Sequence, residues 1–287
     1  MKIIAPASSA NLGPGFDSIG LAVNRYLEVM VGPASSTWQV DHDLPAVSHG
    51  SDNLIIQAAL TVAPSLPPHQ IKVTSAIPLA HGLGSSSAAI VAGIELANQL
   101  AQLRLTAQEK VQLAAKIEGH PDNVAPAILG GIVVGTNIED EFVAVKAPTP
   151  PYRLLAYVPP YNVVTAKARA VLPSQLPFSQ AVHASAVANT LVAALFGQRY
   201  DVLGKLMEAD EFHEQVRSAL VPELSRIRKL GHESGAVATY LSGAGPTIMT
   251  LLPATQVSKF KKSLQTAGLT ASTLDLTIDQ AGVRVVD

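Results

Sequence analysis

Apolar and polar positions fall into short blocks along this chain, and the blocks predict a mixture of strands and helices. Residues 2–5 and 21–31 are rich in Ile, Val and Leu and predict strands, with a Gly- and Asn-rich turn over 8–20 between them. Ser51-Asp52-Asn53 ahead of the apolar run 54–60 predicts a capped helix. A short strand follows at 71–74, and the serines at 85–87 open a long Ala/Leu/Ile helix that runs to about Leu103. Thr106 and Glu109 have the spacing of a capping box, for a helix that ends near Gly119. Residues 131–135 and 142–146 predict two more strands.

Pro148-Thr149-Pro150-Pro151 is the best linker candidate, because proline lacks the N–H that helices and sheet ladders need. It divides the chain into units of 1–150 and 151–287. The second unit predicts a strand at 153–158, helices near 180–197, 201–218 and 222–233, and strands at 236–241 and 246–252. A helix from Thr255 to a Gly268 cap and a strand at 271–276 complete it. There is no internal repeat, and the order of elements predicts two α+β domains.

Composition narrows the function. At 287 residues and 48% hydrophobic content, the chain can bury two cores of ordinary size. A net charge of −2 provides no basic field for a nucleic acid or an anionic membrane. The chain has no cysteine, which excludes disulfides, thiolate metal sites and a cysteine nucleophile, and fits a reducing, cytoplasmic setting. The N-terminal apolar stretch is too short for a signal peptide, and the apolar run 88–96 carries Glu95 and is too short to span a membrane.

The segment Pro78-Leu79-Ala80-His81-Gly82-Leu83-Gly84-Ser85-Ser86-Ser87-Ala88 lies between a predicted strand and the long helix. Its glycines let backbone approach a ligand and the helix start leaves N–H groups unpaired, which together suit a nucleotide's phosphates. No Gly-Lys-Ser/Thr follows, so it is not a Walker A loop. A flexible turn with a serine cap explains the same residues equally well.

Four further constellations carry polar groups. Asn11 and Asp17 sit in the 8–20 segment, where they are either turn residues or the wall of a pocket in which Asp17 meets an ammonium group. Glu118 falls on the apolar stripe of its helix, with Val111 and Ala114, ahead of His120-Pro121-Asp122-Asn123. Beside a phosphate loop its partner would be Mg²⁺; a frayed helix end is the plainer reading, and no zinc pattern is present. Ser242-Gly243-Ala244-Gly245-Pro246-Thr247 reads as a hairpin turn or as packing for the phosphate loop. Thr165, Arg169 and Arg217 lie in the second unit, and arginine's fork suits carboxylate or phosphate.

Taken together and in this order, the three glycine motifs resemble those of the GHMP kinases, the family named for its galactose, homoserine, mevalonate and phosphomevalonate members. The segments 6–20 and 118–126 are similar to the branch that phosphorylates L-homoserine, and the likeness runs from Met1 through the last predicted strand. That resemblance implies an α+β, two-domain GHMP kinase fold, with a left-handed βαβ unit in the N-terminal domain and a ferredoxin-like C-terminal domain. General chain rules would predict right-handed crossovers.

It also implies roles, position by position. Residues 78–88 would wrap ATP as co-substrate, and Ser86 with Glu118 would hold Mg²⁺. Asn11, Asp17, His120 and Asn123 would line the homoserine pocket, with Thr165 beside them. Arg169 and Arg217 would grip the substrate carboxylate, and residues 242–247 would support the loop. Asn123 stands where mevalonate and galactose kinases place a catalytic Asp, so Ser86, Glu118 and Asn123 are the catalytic candidates. The chain departs from the branch by joining Glu118-Gly119 directly to His120, where other members insert about half a dozen residues. The expected activity is O-phosphorylation of homoserine in threonine biosynthesis by a cytoplasmic enzyme with no nucleic-acid or membrane partner, and a homodimer is compatible with this. Another GHMP small-molecule kinase, or a non-catalytic sensor on this fold, is the alternative.

Overall fold

β1 (Lys2–Asn11) and β2 (Gly15–Ala34) form a long antiparallel hairpin whose turn is only Leu12-Gly13-Pro14. The computed structural model describes residues 1–286. The expected turn over 8–20 is therefore mostly strand, and its small residues serve close approach instead of reversal. Ser8 and Ser9 are buried, and a Cβ on Gly20 would stand 1.6 Å from the Asp122 carbonyl oxygen.

The first sheet adds β3 (Gln39–Asp41), β4 (His69–Ser75), β5 (Ile132–Ile138) and β6 (Glu141–Ala147). β2 is long enough to pair with β1, β4 and β5 in turn. β3 and β4 are parallel, joined through α1 (Leu54–Val62), so the βαβ unit lies here. α2 (Ser85–Leu100) packs against β1 between α1 and α3 (Ala107–Glu118). Thr106 and Glu109 make the predicted capping box, each side chain accepting the other's backbone N–H. α4 (Val124–Leu129) was not predicted, because Pro126 speaks against a helix; proline is tolerated in a first turn, where its missing N–H has no partner to lose.

The second sheet comprises β7 (Arg153–Val158), β8 (Ala238–Leu241), β9 (Ile248–Leu252) and β10 (Ser272–Leu276) in the order β10-β7-β9-β8, all antiparallel. Helices α5 (Thr165–Ala170), α6 (Phe178–Phe196), α7 (Leu203–Met207), α8 (Glu214–Arg217) and α9 (Leu224–Glu233) lie between β7 and β8 in the chain, and α10 (Val257–Thr266) between β9 and β10. This is the βαββαβ order of a ferredoxin-like domain with additional helices. Leu154 and Ala156 of β7 join a core shared with the first sheet, whereas Leu155 and Tyr157 join a second core with Leu224 and Phe260. A sheet buried on both faces reads as an unbroken apolar run, which is why β7 and β9 were legible as strands.

Two further expectations differ from the structure. The helix expected over 201–218 breaks into α7 and α8, because the buried Asp210 carboxylate collects the N–H groups of Phe212, His213 and Glu214 and starts a new turn. Finally, the chain returns after β10 to lay β11 (Arg284–Val286) against β1, so the first sheet has seven strands and takes its edge from beyond residue 151. No helix among the described residues is long and apolar enough to cross a membrane.

Candidate active site

A single cleft between the domains gathers the hairpin tip, the glycine-serine loop, the end of α3, the start of α4, α5, α8 and the β8–β9 turn. Gly84 caps α2 in the left-handed conformation (φ 65°), and no side chain caps the first-turn N–H groups. Ser85 and Ser86 line the cleft with Ala80, Gly82, Gly84 and Ser87. Open N–H groups at the positive end of a helix make this wall an anion cradle. Leu83 and Ala88 are buried beneath it, and Pro78, Leu79 and His81 lie outside the cleft lining; the His81 ring turns back on the Leu79 carbonyl.

The β8–β9 turn holds this loop from behind. Ser242 Oγ donates to the Gly82 carbonyl at 2.6 Å and accepts from Ser9, whose own hydroxyl contacts Tyr240 at 3.1 Å. The Thr247 N–H donates to the His81 carbonyl, and a Cβ on Gly82 would stand 2.3 Å from the Ser242 carbonyl oxygen. The glycine at 82 is thus required by the contact between domains.

Glu118 accepts a hydrogen bond from Ser87 at 2.9 Å, so Ser87 touches the carboxylate and Ser86 faces the open cleft. Burial pushes the Glu118 carboxyl up, against the Ser87 hydroxyl and the charge of His120. No Lys, Arg or His lies within ion-pair distance of it among the described residues. A half-buried carboxylate lacking a cation, next to a serine hydroxyl and an anion cradle, is a hard-oxygen donor set that fits Mg²⁺.

His120 donates from Nδ1 to Asp122 at 2.5 Å, and Asn123 donates to the same Asp122 oxygen at 3.2 Å while accepting from Ser8 at 2.8 Å. Burial disfavours charge on His120, but the Asp122 hydrogen bond and the charges of Asp122, Asp17 and Glu118 outweigh it and raise its pKa. Asp122 was not among the sequence candidates. Its signal, a carboxylate between two of them in the His-Pro-Asp-Asn run, was present.

Asn11 and Asp17 both take positive φ, at 76° and 54°, and Asn11 accepts the Asp17 N–H. The Asp17 carboxylate does not face the cleft alone: Arg169 grips it at 2.9 and 2.8 Å. Arg217 is buried and gives its N–H groups to neutral acceptors, the Ala168 carbonyl at 3.0 Å, the Gly243 carbonyl at 3.1 Å and His213 Nδ1 at 3.4 Å. No carboxylate pairs with Arg217 among the described residues. Both guanidinium groups lie over the Phe16 ring, 5.6 and 5.1 Å from its centroid, a residue absent from the sequence candidates. Thr165, at the start of α5, completes the lining with Val163.

An anion cradle across a cleft from the Asp17–Arg169 pair and an arginine held by neutral groups, in this pair of α+β domains, defines a small-molecule phosphotransferase. Residues 53–131 match the GHMP kinases N terminal domain, and residues 191–269 match the GHMP kinases C terminal family. The homoserine kinase of Limosilactobacillus fermentum is 59% identical over 99% of this chain and 100% of its own length. That of Lactobacillus acidophilus is 56% identical, with both chains fully covered. The crystal structure of homoserine kinase from Cytophaga hutchinsonii superposes with a TM-score of 0.88 at 28% identity, covering 100% of this chain and 97% of the other. The chain belongs to the homoserine kinase branch of the GHMP kinases.

Proposed function

We propose that the chain transfers the γ-phosphoryl group of ATP to the side-chain hydroxyl of L-homoserine, forming O-phospho-L-homoserine and ADP. The observation that carries this reading is the contrast between its two arginines. Arg169 is neutralised by Asp17, whereas Arg217 keeps its charge among neutral acceptors at the cleft wall. A zwitterionic amino acid answers both: its ammonium group suits Asp17, and its carboxylate suits Arg217 and the Arg169 fork that Asp17 would release. Two ion pairs with substrate then replace one internal pair, so no buried charge is left alone. Mevalonate has no ammonium group and would leave Asp17 competing for the arginines.

The α2 N-terminus with Ala80, Gly82 and residues 84–87 binds the phosphates, and residues 242–247 keep the loop in place. Glu118 and Ser86 would hold Mg²⁺, which when bound offsets charge on the transferring phosphoryl group. Asn11, His120, Asn123 and Thr165 shape the acceptor pocket. A loose phosphoryl-transfer transition state asks for alignment and charge neutralisation more than for early deprotonation of the hydroxyl. ADP release measured across a panel of amino-acid and isoprenoid alcohols tests the reading. Homoserine should give the highest kcat/KM with Mg²⁺ required, and homoserine lactone, which lacks the carboxylate, should be poor. A higher kcat/KM for mevalonate overturns the assignment.

A further inference from the structure

His213 is fully buried, lies outside the cleft lining, and has no part in phosphate or magnesium binding. Its two ring nitrogens nonetheless join the two sides of the acceptor pocket. Nε2 lies 3.0 Å from the carbonyl oxygen of Gly13, at the tip of the β1–β2 hairpin that carries Asn11, Phe16 and Asp17. Nδ1 lies 3.4 Å from Nη1 of Arg217. The chemistry of these partners fixes the proton. A carbonyl only accepts, so Nε2 carries hydrogen; a guanidinium only donates, so Nδ1 is bare. A doubly protonated ring would set a second cation against Arg217.

The surroundings support the neutral form. Burial lowers the His213 pKa and Arg217 adds to that, against the opposing charges of Asp210 and Glu214. Asp210 Oδ2 is 3.6 Å from Nε2, but its carboxylate is committed to the N–H groups of Phe212, His213 and Glu214. Glu214 is committed to Arg228 and to the Leu241 N–H. Phe16 stacks on the imidazole at 5.3 Å and 30°, and a Cβ on Gly13 would stand 1.8 Å from the Met207 carbonyl oxygen. The hairpin tip is thus seated against α7 with the imidazole as its hydrogen-bonding contact.

We propose that His213, uncharged and with its proton on Nε2, is a positioning residue that ties the hairpin tip to Arg217 and so sets the distance between the groups that receive the two ends of the substrate zwitterion. This rests on the reading above that Arg217 meets the substrate carboxylate. Wild-type turnover of homoserine and its loss of affinity in Arg217→Ala test that reading separately.

His213→Leu removes both hydrogen bonds at similar volume, and His213→Asn returns an amide oxygen near the Nδ1 position. The expected result for His213→Leu is a homoserine KM raised about tenfold, with ATP KM within about twofold and kcat within about threefold. His213→Asn should recover part of the homoserine KM. A homoserine KM within about twofold of wild type in His213→Leu, or ATP and homoserine KM rising together in both variants, overturns the proposal. Side-chain ¹⁵N spectra of the wild-type protein need no variant to fold: they should show His213 as the neutral Nε2–H tautomer at neutral pH. An Nδ1–H tautomer or a cationic ring there also overturns it.

Discussion

The Arg169 guanidinium closes on Asp17 through two parallel hydrogen bonds, Nη1 to Oδ2 at 2.9 Å and Nη2 to Oδ1 at 2.8 Å. The sequence suggested separate duties for these residues, one for the substrate ammonium and one for its carboxylate. Their pairing gives each a preset partner, so on the proposed reading substrate binding is an exchange of ion pairs.

That pairing sets the size of the first prediction. The Asp17 and Arg169 side chains are 33% and 42% exposed, so losing one charge costs less than in a dry interior, about 1–2 kcal/mol. Asp17→Ala should raise homoserine KM about tenfold and leave ATP KM within about twofold. Steady-state kinetics with each substrate varied checks this, and an unchanged homoserine KM removes Asp17 from the pocket.

Glu118 yields a prediction in which stability and activity move in opposite directions. Burial raises its folded-state pKa above the ordinary 4.5, so the folded chain holds a proton that the unfolded chain has released. Stability linked to this group is complete below that ordinary value and falls as pH rises through the folded-state value. At neutral pH, above the ordinary value, burial of this carboxyl is therefore a cost. Glu118→Gln should raise Tm by about 1–3 °C and lower kcat at least a hundredfold. Calorimetry and ADP release on the same sample check both arms; a lower Tm with near-normal kcat contradicts each.

Much of the site was legible because its chemistry is local in sequence. The phosphate loop, the His-Pro-Asp-Asn run and the Ser-Gly-Ala-Gly turn each keep their residues within a dozen positions. What could not be read depends on chain segments far apart. Asp17 and Arg169 are 152 residues apart, and His213 reaches Gly13 across 200. The small residues of the β1–β2 hairpin, Gly13 at its turn and Gly20 in β2, were misread because the backbone that crowds them, at Met207 and Asp122, lies elsewhere in the chain. The break between α7 and α8 was hidden for another reason. Asp210 is an ordinary polar residue in a helical pattern until its carboxylate turns back to cap the next helix.

The His120–Asp122 contact makes a prediction about pH. Burial opposes charge on the imidazole, yet Asp122, Asp17 and Glu118 together hold its pKa above the ordinary 6.5. The stabilisation from protonated His120 is therefore complete below 6.5 and is lost as pH rises through the higher folded-state value. His120→Gln should flatten the decline of Tm as pH rises above about 6.5. His120 is tied to Asp122 through Nδ1 and is read here as a positioning group, so wild-type kcat should change less than about threefold between about pH 6 and 8. A climb of tenfold over that range, absent in His120→Gln, would assign the base to His120.

The final prediction concerns Asn123, which the family resemblance sets where sister kinases carry a carboxylate. Both ends of its amide are engaged: Oδ1 accepts from Ser8 at 2.8 Å, and Nδ2 donates to Asp122 at 3.2 Å. An amide cannot take a proton at neutral pH, so its contribution is to hold Asp122, and through it His120, in register with the phosphate loop. Gly84 approaches the same oxygen closely enough that a Cβ there would lie 3.3 Å from it. Asn123→Ala removes the pin without adding charge and should lower kcat by less than about a hundredfold, within the range of lost alignment and below most of the range of a true base. Asn123→Asp is the sharper test. It exchanges the donor for a carboxylate oxygen facing Asp122, so two negative groups meet where one hydrogen bond stood. If this site works by positioning, Asn123→Asp should be less active than Asn123→Ala at neutral pH and should improve as the pH is lowered toward 6, where one of the two carboxylates regains a proton. If the pocket can instead use a base at this position, Asn123→Asp will match or exceed the wild-type kcat, and the base-free mechanism fails.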